Sequence, residues 1–292
     1  TTCPNMQGTV FGEKKDYDVC GKIFRKNGIK DSGESGDYVL KIYTKYLGYK
    51  ASGFSTATSS SQVQSGSAAS GIKVMTYNVH QGNEGINNVI SLIQKYSPDI
   101  IGLKEVMQND FNILKSQLEM PYGYFSPVYS EGNKVQGNAI LSKNSLIETS
   151  QTFYSQQSAL DANYNSGETR LYQKVKTIIN GKEITFFNTH TTHYENNNQA
   201  VNKAQIQELY NMASKESGKV VVTGDFNYVN TASIFSSFKN DGLSGKTHLK
   251  TTVVRSGKID YILFSQGLSK SSAELITSPV ASDHYPIFVN LN

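Results

Sequence analysis

Short polar motifs follow apolar runs at five places in the last three quarters of this chain. In chain order they are Tyr77-Asn78, Leu103-Lys104-Glu105-Val106, Asn188-Thr189-His190, Gly224-Asp225-Phe226-Asn227 and Ser282-Asp283-His284-Tyr285-Pro286. Each motif stands at or beside the end of a run that is typical of a buried strand. The fold must therefore carry carboxylates, carboxamides and imidazoles to several strand ends. That arrangement is typical of enzymes that hydrolyse phosphoesters with the help of a metal ion.

The composition fits a soluble protein with a sizeable core, because 37% of the 292 residues are apolar. No run approaches the roughly 18 apolar residues that a membrane-spanning helix needs, so we expect no transmembrane segment. The formal net charge of +4 permits a polyanionic substrate, and it is equally compatible with ordinary surface charge.

Both cysteines of the chain, Cys3 and Cys20, lie near its start. Two thiols are too few for a four-ligand zinc site. They form either a disulfide, which would suit an exported protein, or two free thiols. The first residue is Thr1, which we interpret as a processed or recombinant N-terminus. We therefore expect a secreted or cell-surface protein of bacterial type.

A stretch of small uncharged residues divides the chain. Residues 55–71 read STATSSSQVQSGSAASG, which is typical of a flexible linker. It separates an N-terminal segment, residues 1–54, from a larger domain, residues 72–292. We expect the N-terminal segment to be a small β-rich module. Its role stays open between binding a substrate or surface and packing on the larger domain.

The larger domain alternates strand and helix signals. Strand-like runs cover Lys73–Val79, Asp99–Leu103, Asn138–Ser142, Lys219–Thr223, Ile259–Phe264 and Tyr285–Val289. Helical periodicity recurs around residues 86–93, 111–118 and 206–213. Leu171–Ile179 and Glu183–Asn188 flank Asn180-Gly181, which predicts a hairpin with a type I′ turn. Hairpins mixed with helical crossovers predict two packed sheets with helices outside, a mixed α/β sandwich.

The acidic motifs offer hard oxygen ligands. Glu105 follows a buried apolar run, where a carboxylate is costly unless it is paired, hydrogen-bonded or metal-bound. Asp225 and Asn227 are two residues apart and can point the same way, as ligands of Mg²⁺, Mn²⁺ or Ca²⁺ or as a water-orienting pair. The plainer alternatives are an exposed acid for Glu105 and a simple Asx turn for the pair.

The histidines offer acid–base chemistry near neutral pH. His284 follows Asp283 just before a strand, and Asp260 could hold its imidazole in one tautomer. His190 lies past another strand and could donate to a phosphoryl oxygen. Taken singly, each could equally be a surface or capping histidine.

As an ordered set, the motifs resemble the endonuclease/exonuclease/phosphatase family over about residues 72–292. That family includes deoxyribonuclease I-like nucleases, abasic-site endonucleases, bacterial sphingomyelinases and inositol-phosphate phosphatases. The resemblance implies a four-layered α/β sandwich, made of two packed mixed sheets flanked by helices. It also implies a phosphodiesterase or phosphatase that uses Mg²⁺, Mn²⁺ or Ca²⁺.

The resemblance further implies a role for each matching residue. The implied catalytic residues are His284, Asp260, His190, Asp225 and Asn227, the metal ligands Glu105, Asp283 and Asn78, and the substrate-binding residues Arg170 and Asn138. Asp260 would support His284 as the general base, and His190 would contact the scissile phosphate. Asp225 and Asn227 would orient the attacking water and the phosphate.

Lys104 departs from the family, which usually has glutamine before the metal-binding glutamate. It could weaken metal binding, pair with a substrate phosphate or point away from the site. The other histidines, His193, His248 and His80, are expected to be bystanders, with His80 at most at the edge of the site.

The substrate expected from charge and predicted export is nucleic acid, either DNA or RNA. Four tyrosines in predicted loops could stack on bases, namely Tyr124, Tyr129, Tyr164 and Tyr194. A phospholipid or inositol phosphate is the alternative substrate. A lipid enzyme needs an exposed apolar loop, for which the region near Phe153-Tyr154 is the candidate. A third possibility is a degenerate, non-catalytic binding module.

Overall fold

The computed structural model describes residues 71–158, 169–194, 198–249 and 257–292. The expectations for the N-terminal module, for the linker up to residue 70 and for both cysteines lie outside these residues, and so does Tyr164. They stay predictions. In the part of the chain that is described, no helix is long and apolar enough to cross a membrane.

The described residues form two six-stranded mixed sheets. The strands are β1 (Ile72–Asn78), β2 (Ile100–Met107), β3 (Tyr122–Glu131), β4 (Lys134–Ser142), β5 (Leu146–Phe153), β6 (Leu171–Ile179), β7 (Lys182–His190), β8 (Lys219–Asp225), β9 (Lys239–Asn240), β10 (Asp260–Phe264), β11 (Lys270–Leu275) and β12 (Ile287–Leu291). The first sheet has the order β11-β12-β1-β2-β4-β3, and the second has the order β5-β6-β7-β8-β10-β9. The pairs β1–β2 and β7–β8 are parallel, and the remaining pairs are antiparallel.

Helices cover the outside of both sheets. Helices α1 (Ile86–Tyr96) and α2 (Gln108–Gln117) share a hydrophobic cluster with the first sheet. Helix α3 (Gln199–Ala213) and the short α4 (Thr231–Ile234) pack on the second sheet. A third cluster fills the space between the sheets. The predicted four-layered α/β sandwich is therefore confirmed.

Side chains along each strand alternate between an inner face, toward the other sheet, and an outer face, toward the helices. In β1, Ile72 and Val74 belong to the cluster between the sheets, whereas Met75 and Tyr77 pack with α1 and α2. Strand β8 repeats the pattern, with Val221 between the sheets. Inner-face positions further along the same strands are polar, and these positions build the site.

The two sheets touch through polar side chains just before the strand ends. Asn188 Nδ2 donates across the interface to the main-chain oxygens of Leu103, at 3.0 Å, and Ala139, at 3.2 Å. Asn188 Oδ1 accepts a hydrogen bond of 3.2 Å from Thr223 Oγ1. A Cβ atom on Gly102 would lie only 2.3 Å from that Oγ1 and 2.4 Å from Asn188 Oδ1. The contact between the sheets therefore requires glycine at this position.

The predicted hairpin is confirmed. Strands β6 and β7 pair along their length, with Ile179 opposite Lys182. Asn180 and Gly181 between them have φ values of +52° and +75°, as a type I′ turn demands at both central residues.

The structure contains strands that the sequence analysis did not predict. Tyr124 and Tyr129 lie in β3, so their assignment to loops was wrong. Strand β3 carries Gly123 and Pro127, which argue against a strand but are tolerated here because β3 is an edge strand. Strand β11, which comes between β10 and β12 in the chain, is an exposed, polar edge strand of the first sheet. Asp260 is the first residue of β10.

Candidate active site

Polar residues replace apolar ones on the inner face where β1 of the first sheet and three neighbouring strands of the second sheet reach one end of the sandwich. They are Asn78 at the end of β1, His190 at the end of β7, Asp225 at the end of β8 and Asp260 at the start of β10. The strand register places His190 on one side of Asp225 and Asp260 on the other. All four residues are buried. The site is therefore the polar end of the layer between the sheets.

A β-bulge in β2 brings Glu105 into this site. The pairing of β2 with β4 is interrupted between Leu103 and Val106, and Glu105 has a φ of +55°. Without the bulge, Glu105 would share the outer face with Leu103, because residues two apart point the same way. Glu105 therefore lies within β2, and the expectation that it follows the strand was wrong.

One side-chain amide links carboxylates from the two sheets. Asn78 Nδ2 donates to Glu105 Oε1 at 2.8 Å and to Asp225 Oδ2 at 3.1 Å. Asn78 Oδ1 accepts a hydrogen bond of 3.1 Å from the His80 backbone N–H. In this geometry Asn78 orients Glu105, while its own oxygen is engaged by the backbone.

His284 lies between two carboxylates. Its Nδ1 is 2.8 Å from Asp260 Oδ2, and its Nε2 is 3.5 Å from Asp225 Oδ2. Burial alone would lower the pKa of His284, but the negative charges of Asp260 and Asp225 outweigh burial and raise the pKa to about 9. Without a bound cation, the ring is therefore an imidazolium at neutral pH.

His190 differs from His284 in charge although both approach the same carboxylate. Its Nε2 lies 3.5 Å from Asp225 Oδ2. Burial, followed by the positive charge of Arg170, holds the pKa of His190 well below its ordinary value. The ring is therefore neutral, and Arg170, itself buried just before β6, adds positive charge beside it.

Asp225 is the central anion of the site. Burial would raise the pKa of its carboxyl group, but the positive charges of His284 and Lys104 hold the pKa well below its ordinary value. Asp225 Oδ1 also accepts a hydrogen bond of 3.0 Å from the Asn227 backbone N–H. The carboxylate is therefore ionised and fixed in direction.

Lys104 points into the site rather than away from it. The residue is fully buried, and its Nζ donates to Thr76 Oγ1 at 2.5 Å and lies 3.9 Å from Asp260 Oδ1. Burial lowers the pKa of Lys104 to about 8, although the nearby carboxylates, Asp260 foremost, oppose this shift. The ammonium group thus stands behind the Asp260–His284 pair.

Two histidines expected to be bystanders flank Asp283. His80 Nδ1 is 3.8 Å from Asp283 Oδ1, and His248 Nε2 is 3.4 Å from Asp283 Oδ2. His248 also forms an isolated β-bridge with His284, and the two rings meet edge-on with centroids 4.5 Å apart. The sequence around His248 carries no strand signal, so only tertiary pairing identifies it.

Asn227 takes part in the Asx turn that was the plainer interpretation, and its predicted role with Asp225 in orienting water stays a prediction. Its backbone forms the Asx turn on Asp225, with a φ of +50°. Its side chain bridges neighbouring loops, because Nδ2 donates to the Thr191 main-chain oxygen at 3.0 Å and Oδ1 lies 3.2 Å from His193 Nδ1. His193 is therefore a neighbour of the site.

Asn138 lies opposite the β2 bulge, between the residues that pair with Leu103 and Val106. The side chain is buried, and its Nδ2 has no hydrogen-bond partner among the described residues. A buried amide donor is costly to leave unpaired, so its position fits the predicted contact with a substrate.

A sequence profile of the endonuclease/exonuclease/phosphatase family matches residues 75–284, which contain every one of these site residues. The chain belongs to the endonuclease/exonuclease/phosphatase family. No curated protein sequence gives a match.

Solved structures of the family share the fold at low sequence identity. An endonuclease/exonuclease/phosphatase from Beutenbergia cavernae is 14% identical, with a TM-score of 0.65 over 76% of this chain and 72% of its own. D. rerio TDP2 complexed with single strand DNA product is 15% identical, with a TM-score of 0.60 over 76% and 98%. The mannosyl-6-phosphatase Bt3783 of Bacteroides thetaiotaomicron is 17% identical, with a TM-score of 0.59 over 76% and 99%.

Members of this family are metal-dependent phosphoesterases, and the donors present fit a divalent cation. Compact groups of candidate ligand atoms, within 4.8 Å of one another, are formed among the described residues by His248, Asp283 and His284 and by Asp225, Asp260 and His284. Glu105 is in neither group, but Asn78 ties it to Asp225. Carboxylate oxygens suit hard cations, so the predicted ligands Glu105 and Asp283 are of the right chemical type for such an ion.

The structure places all ten residues predicted from the sequence at one end of the sandwich. Eight are linked by the contacts above, namely Asn78, Glu105, His190, Asp225, Asn227, Asp260, Asp283 and His284. Arg170 acts on His190 through its charge, and Asn138 lies opposite the bulge. Their individual roles stay predictions. The structure adds two features: Lys104, whose direction the sequence left open, faces inward, and His80 and His248, expected to be bystanders, lie beside Asp283.

Proposed function

We propose that this protein is a divalent-metal-dependent phosphodiesterase that cleaves nucleic acid, with the ion held chiefly by Glu105. The observation that carries the proposal is the convergence of Glu105, Asp225 and His284 on one buried polar site. Asp225 and His284 are buried and Glu105 is half-buried. Ionisable groups gathered in this way in the interior are typical of functional sites.

A bound divalent cation would supply positive charge that stabilises the anionic transition state and lowers the pKa of a neighbouring imidazole. In its neutral form, His284 takes a proton from the attacking water at Nε2. Asp260 accepts the Nδ1–H hydrogen bond and keeps the ring in that tautomer. Asp225, 3.5 Å from Nε2, orients the water.

The scissile phosphate would meet donors on the other side of the site. His190 is neutral and buried, so it can donate to a phosphoryl oxygen without adding charge. Arg170 supplies a permanent positive charge nearby, and the unpaired Asn138 amide supplies a further donor. Together they compensate the negative charge that develops on the phosphoryl oxygens.

Several observations favour nucleic acid over lipid. The net charge is +4. The Phe153-Tyr154 region does not form an exposed aromatic pair, because Phe153 is 49% exposed while Tyr154 is buried and bonded to Thr189. The family fold is also known with a single strand DNA product in D. rerio TDP2. A phosphosugar or inositol phosphate is the alternative that the substrate test must include.

The decisive experiment incubates the protein with Mg²⁺ or Mn²⁺ and plasmid DNA, RNA, sphingomyelin or inositol phosphates in parallel. We expect cleavage of a nucleic acid that chelation abolishes and added metal restores. Glu105→Gln should raise the Mg²⁺ concentration for half-maximal activity at least about 10-fold. Glu183→Gln, at the exposed start of β7, is the matched control.

Full activity in excess chelator would refute metal dependence. Hydrolysis of lipid or inositol phosphate with no cleavage of nucleic acid would replace the proposed substrate. No hydrolysis of any of the four would indicate a non-catalytic binding module.

We also propose that the protein is exported, on the basis of its two N-terminal cysteines. Thiol titration of the unreduced, denatured protein should find neither Cys3 nor Cys20 reactive. Two reactive thiols in protein isolated from its native host would contradict this.

A further inference from the structure

Two tyrosines form a stacked pair beside the site. The ring centroids of Tyr194 and Tyr228 are 4.9 Å apart, and the ring planes differ by 29°. The other aromatic contacts within the described ranges are tilted or edge-on, as in an ordinary core. Both rings are only half-buried. The pair is therefore partly exposed to solvent, with Tyr228 also packed against the hydrophobic cluster on the second sheet.

Lys203 of helix α3 lies beside this pair. Its Nζ is over the Tyr194 ring at 5.8 Å from the centroid and over the Tyr228 ring at 5.4 Å. Both distances fall within the range of a cation–π contact. Lys203 is exposed, so its positive charge lies at the surface next to the two rings.

The pair is tied directly to the catalytic residues. Tyr228 follows Asn227, whose Oδ1 lies 3.2 Å from Nδ1 of His193, and Tyr194 follows His193. The His193 ring in turn meets the His190 ring edge-on, with centroids 6.1 Å apart. Tyr228 is thus one residue from the predicted catalytic Asn227, and Tyr194 is linked through His193 to the ring of His190.

We propose that Tyr194 and Tyr228 form a subsite that stacks a nucleobase of the nucleotide adjoining the scissile phosphate, with Lys203 placed to contact the next phosphate. This inference rests on the proposed nuclease function and names the part of the substrate that the site selects. Every base has a flat aromatic face, so stacking on tyrosine binds single strands with little regard to sequence. The positive charge beside the rings suits a chain of regularly spaced phosphates.

A base suits this surface better than a sugar does. A sugar ring would need hydrogen-bonding side chains around the aromatic surface to hold its hydroxyl groups. A planar ring needs only a flat face, and the stacked pair supplies one. The test below includes a sugar phosphate as the competing ligand.

The test compares two short single-stranded oligonucleotides, one natural and one with a tetrahydrofuran abasic residue beside the cleaved bond. Tyr228→Ala and Tyr194→Ala should lower the preference for the natural strand, measured as the ratio of kcat/KM values, by roughly 5- to 100-fold, the range expected for stacking one base. Tyr228→Phe should retain most of the preference, because it keeps the ring. Tyr122→Ala, an exposed tyrosine at the far end of the first sheet, should leave the ratio unchanged.

An equal loss on both strands in the alanine variants, with unchanged melting temperatures, would overturn the subsite and leave the nuclease function intact. If the wild type cleaves no nucleic acid, the proposed function has failed, and calorimetric binding of AMP and ribose 5-phosphate tests the subsite alone. Tighter binding of AMP that Tyr228→Ala abolishes would support the subsite. Equal affinities for the two ligands in the wild type would overturn it.

Discussion

At the scale of the residue, charge balance decides what each group can do. His284 and His190 both approach Asp225 at 3.5 Å, yet one ring is cationic and the other neutral. The difference arises because His284 also faces Asp260, whereas His190 faces Arg170. Identical side chains at neighbouring positions therefore offer different chemistry.

The raised pKa of His284 predicts how the metal-free protein responds to pH. Its folded pKa of about 9 exceeds the ordinary 6.5, so its stabilising effect is complete below pH 6.5 and is lost as pH rises through 9. Lys104, with a folded pKa of about 8, opposes the change only above pH 8. Between pH 6.5 and 8, the free energy of unfolding should fall by about 1 kcal/mol per pH unit more in the wild type than in His284→Gln. Denaturant titrations in chelator measure both slopes, and equal slopes would contradict the prediction.

The buried charge of Lys104 is expected to stabilise the metal-free protein and to weaken its binding of a metal ion. Lys104→Gln removes the cation behind Asp260, leaves buried carboxylates less compensated, and should cost about 3 kcal/mol in the metal-free protein. The same change should tighten Mg²⁺ binding several-fold, because a like charge is removed from beside Glu105. Thermal shift and calorimetry check both effects, with the exposed Lys134→Gln as control. Weaker Mg²⁺ binding in Lys104→Gln would refute this account.

At the scale of the element, β2 matters most because it makes both a close contact and a bulge. Gly102 allows the sheets to meet through Asn188 and Thr223, and the bulge two residues later turns Glu105 inward. The register of a single strand thus connects the packing of the sheets to the position of the predicted metal ligand.

Gly102→Ala tests this connection. Alanine is normally more favourable than glycine within a strand, but here its Cβ would overlap Thr223 and Asn188. We therefore expect Gly102→Ala to lower the free energy of unfolding by about 1–3 kcal/mol. Activity should also fall, because Glu105 lies three residues further on. Gly267→Ala is the matched control, since nothing lies within 4 Å of a Cβ built there. If Gly102→Ala has the same free energy of unfolding as the wild type, the sheets can move apart at this point without a loss of stability.

At the scale of the whole molecule, the described residues contain three hydrophobic clusters of their own. Residues 1–54 carry nine Lys and Arg against six Asp and Glu, ahead of the uncharged linker. Folding and substrate binding can therefore be tested separately for the two parts of the chain.

Removing residues 1–70 should leave the catalytic domain folded, with a melting temperature close to that of the full chain. If the basic segment helps to bind polyanions, KM should rise several-fold on long nucleic acid and change little on a small chromogenic phosphodiester. The salt dependence of binding should also become shallower, since fewer counterions are released. Equal changes on both substrates would instead assign the segment a role in stabilising the domain.

The ten candidate site residues came from the ordered motifs and their resemblance to the family. The sequence by itself determined the layered α/β class and the β6–β7 hairpin. These follow from local information, because two-residue alternation, helical periodicity and the Asn-Gly turn are properties of short segments. The order of the motifs carried the resemblance, which supplied the roles that spacing alone could not.

Only the tertiary structure decided the direction and charge of the side chains. The bulge that turns Glu105 inward, the pairing of His248 with His284 and the burial of Lys104 behind Asp260 all join residues distant in the chain. Edge strands β3 and β11 also escaped prediction, since their sequences are shaped by solvent exposure rather than by a core. The direction of a side chain and the pKa of its ionisable group depend on which strands become neighbours. That is a property of the assembled sheets rather than of any one segment.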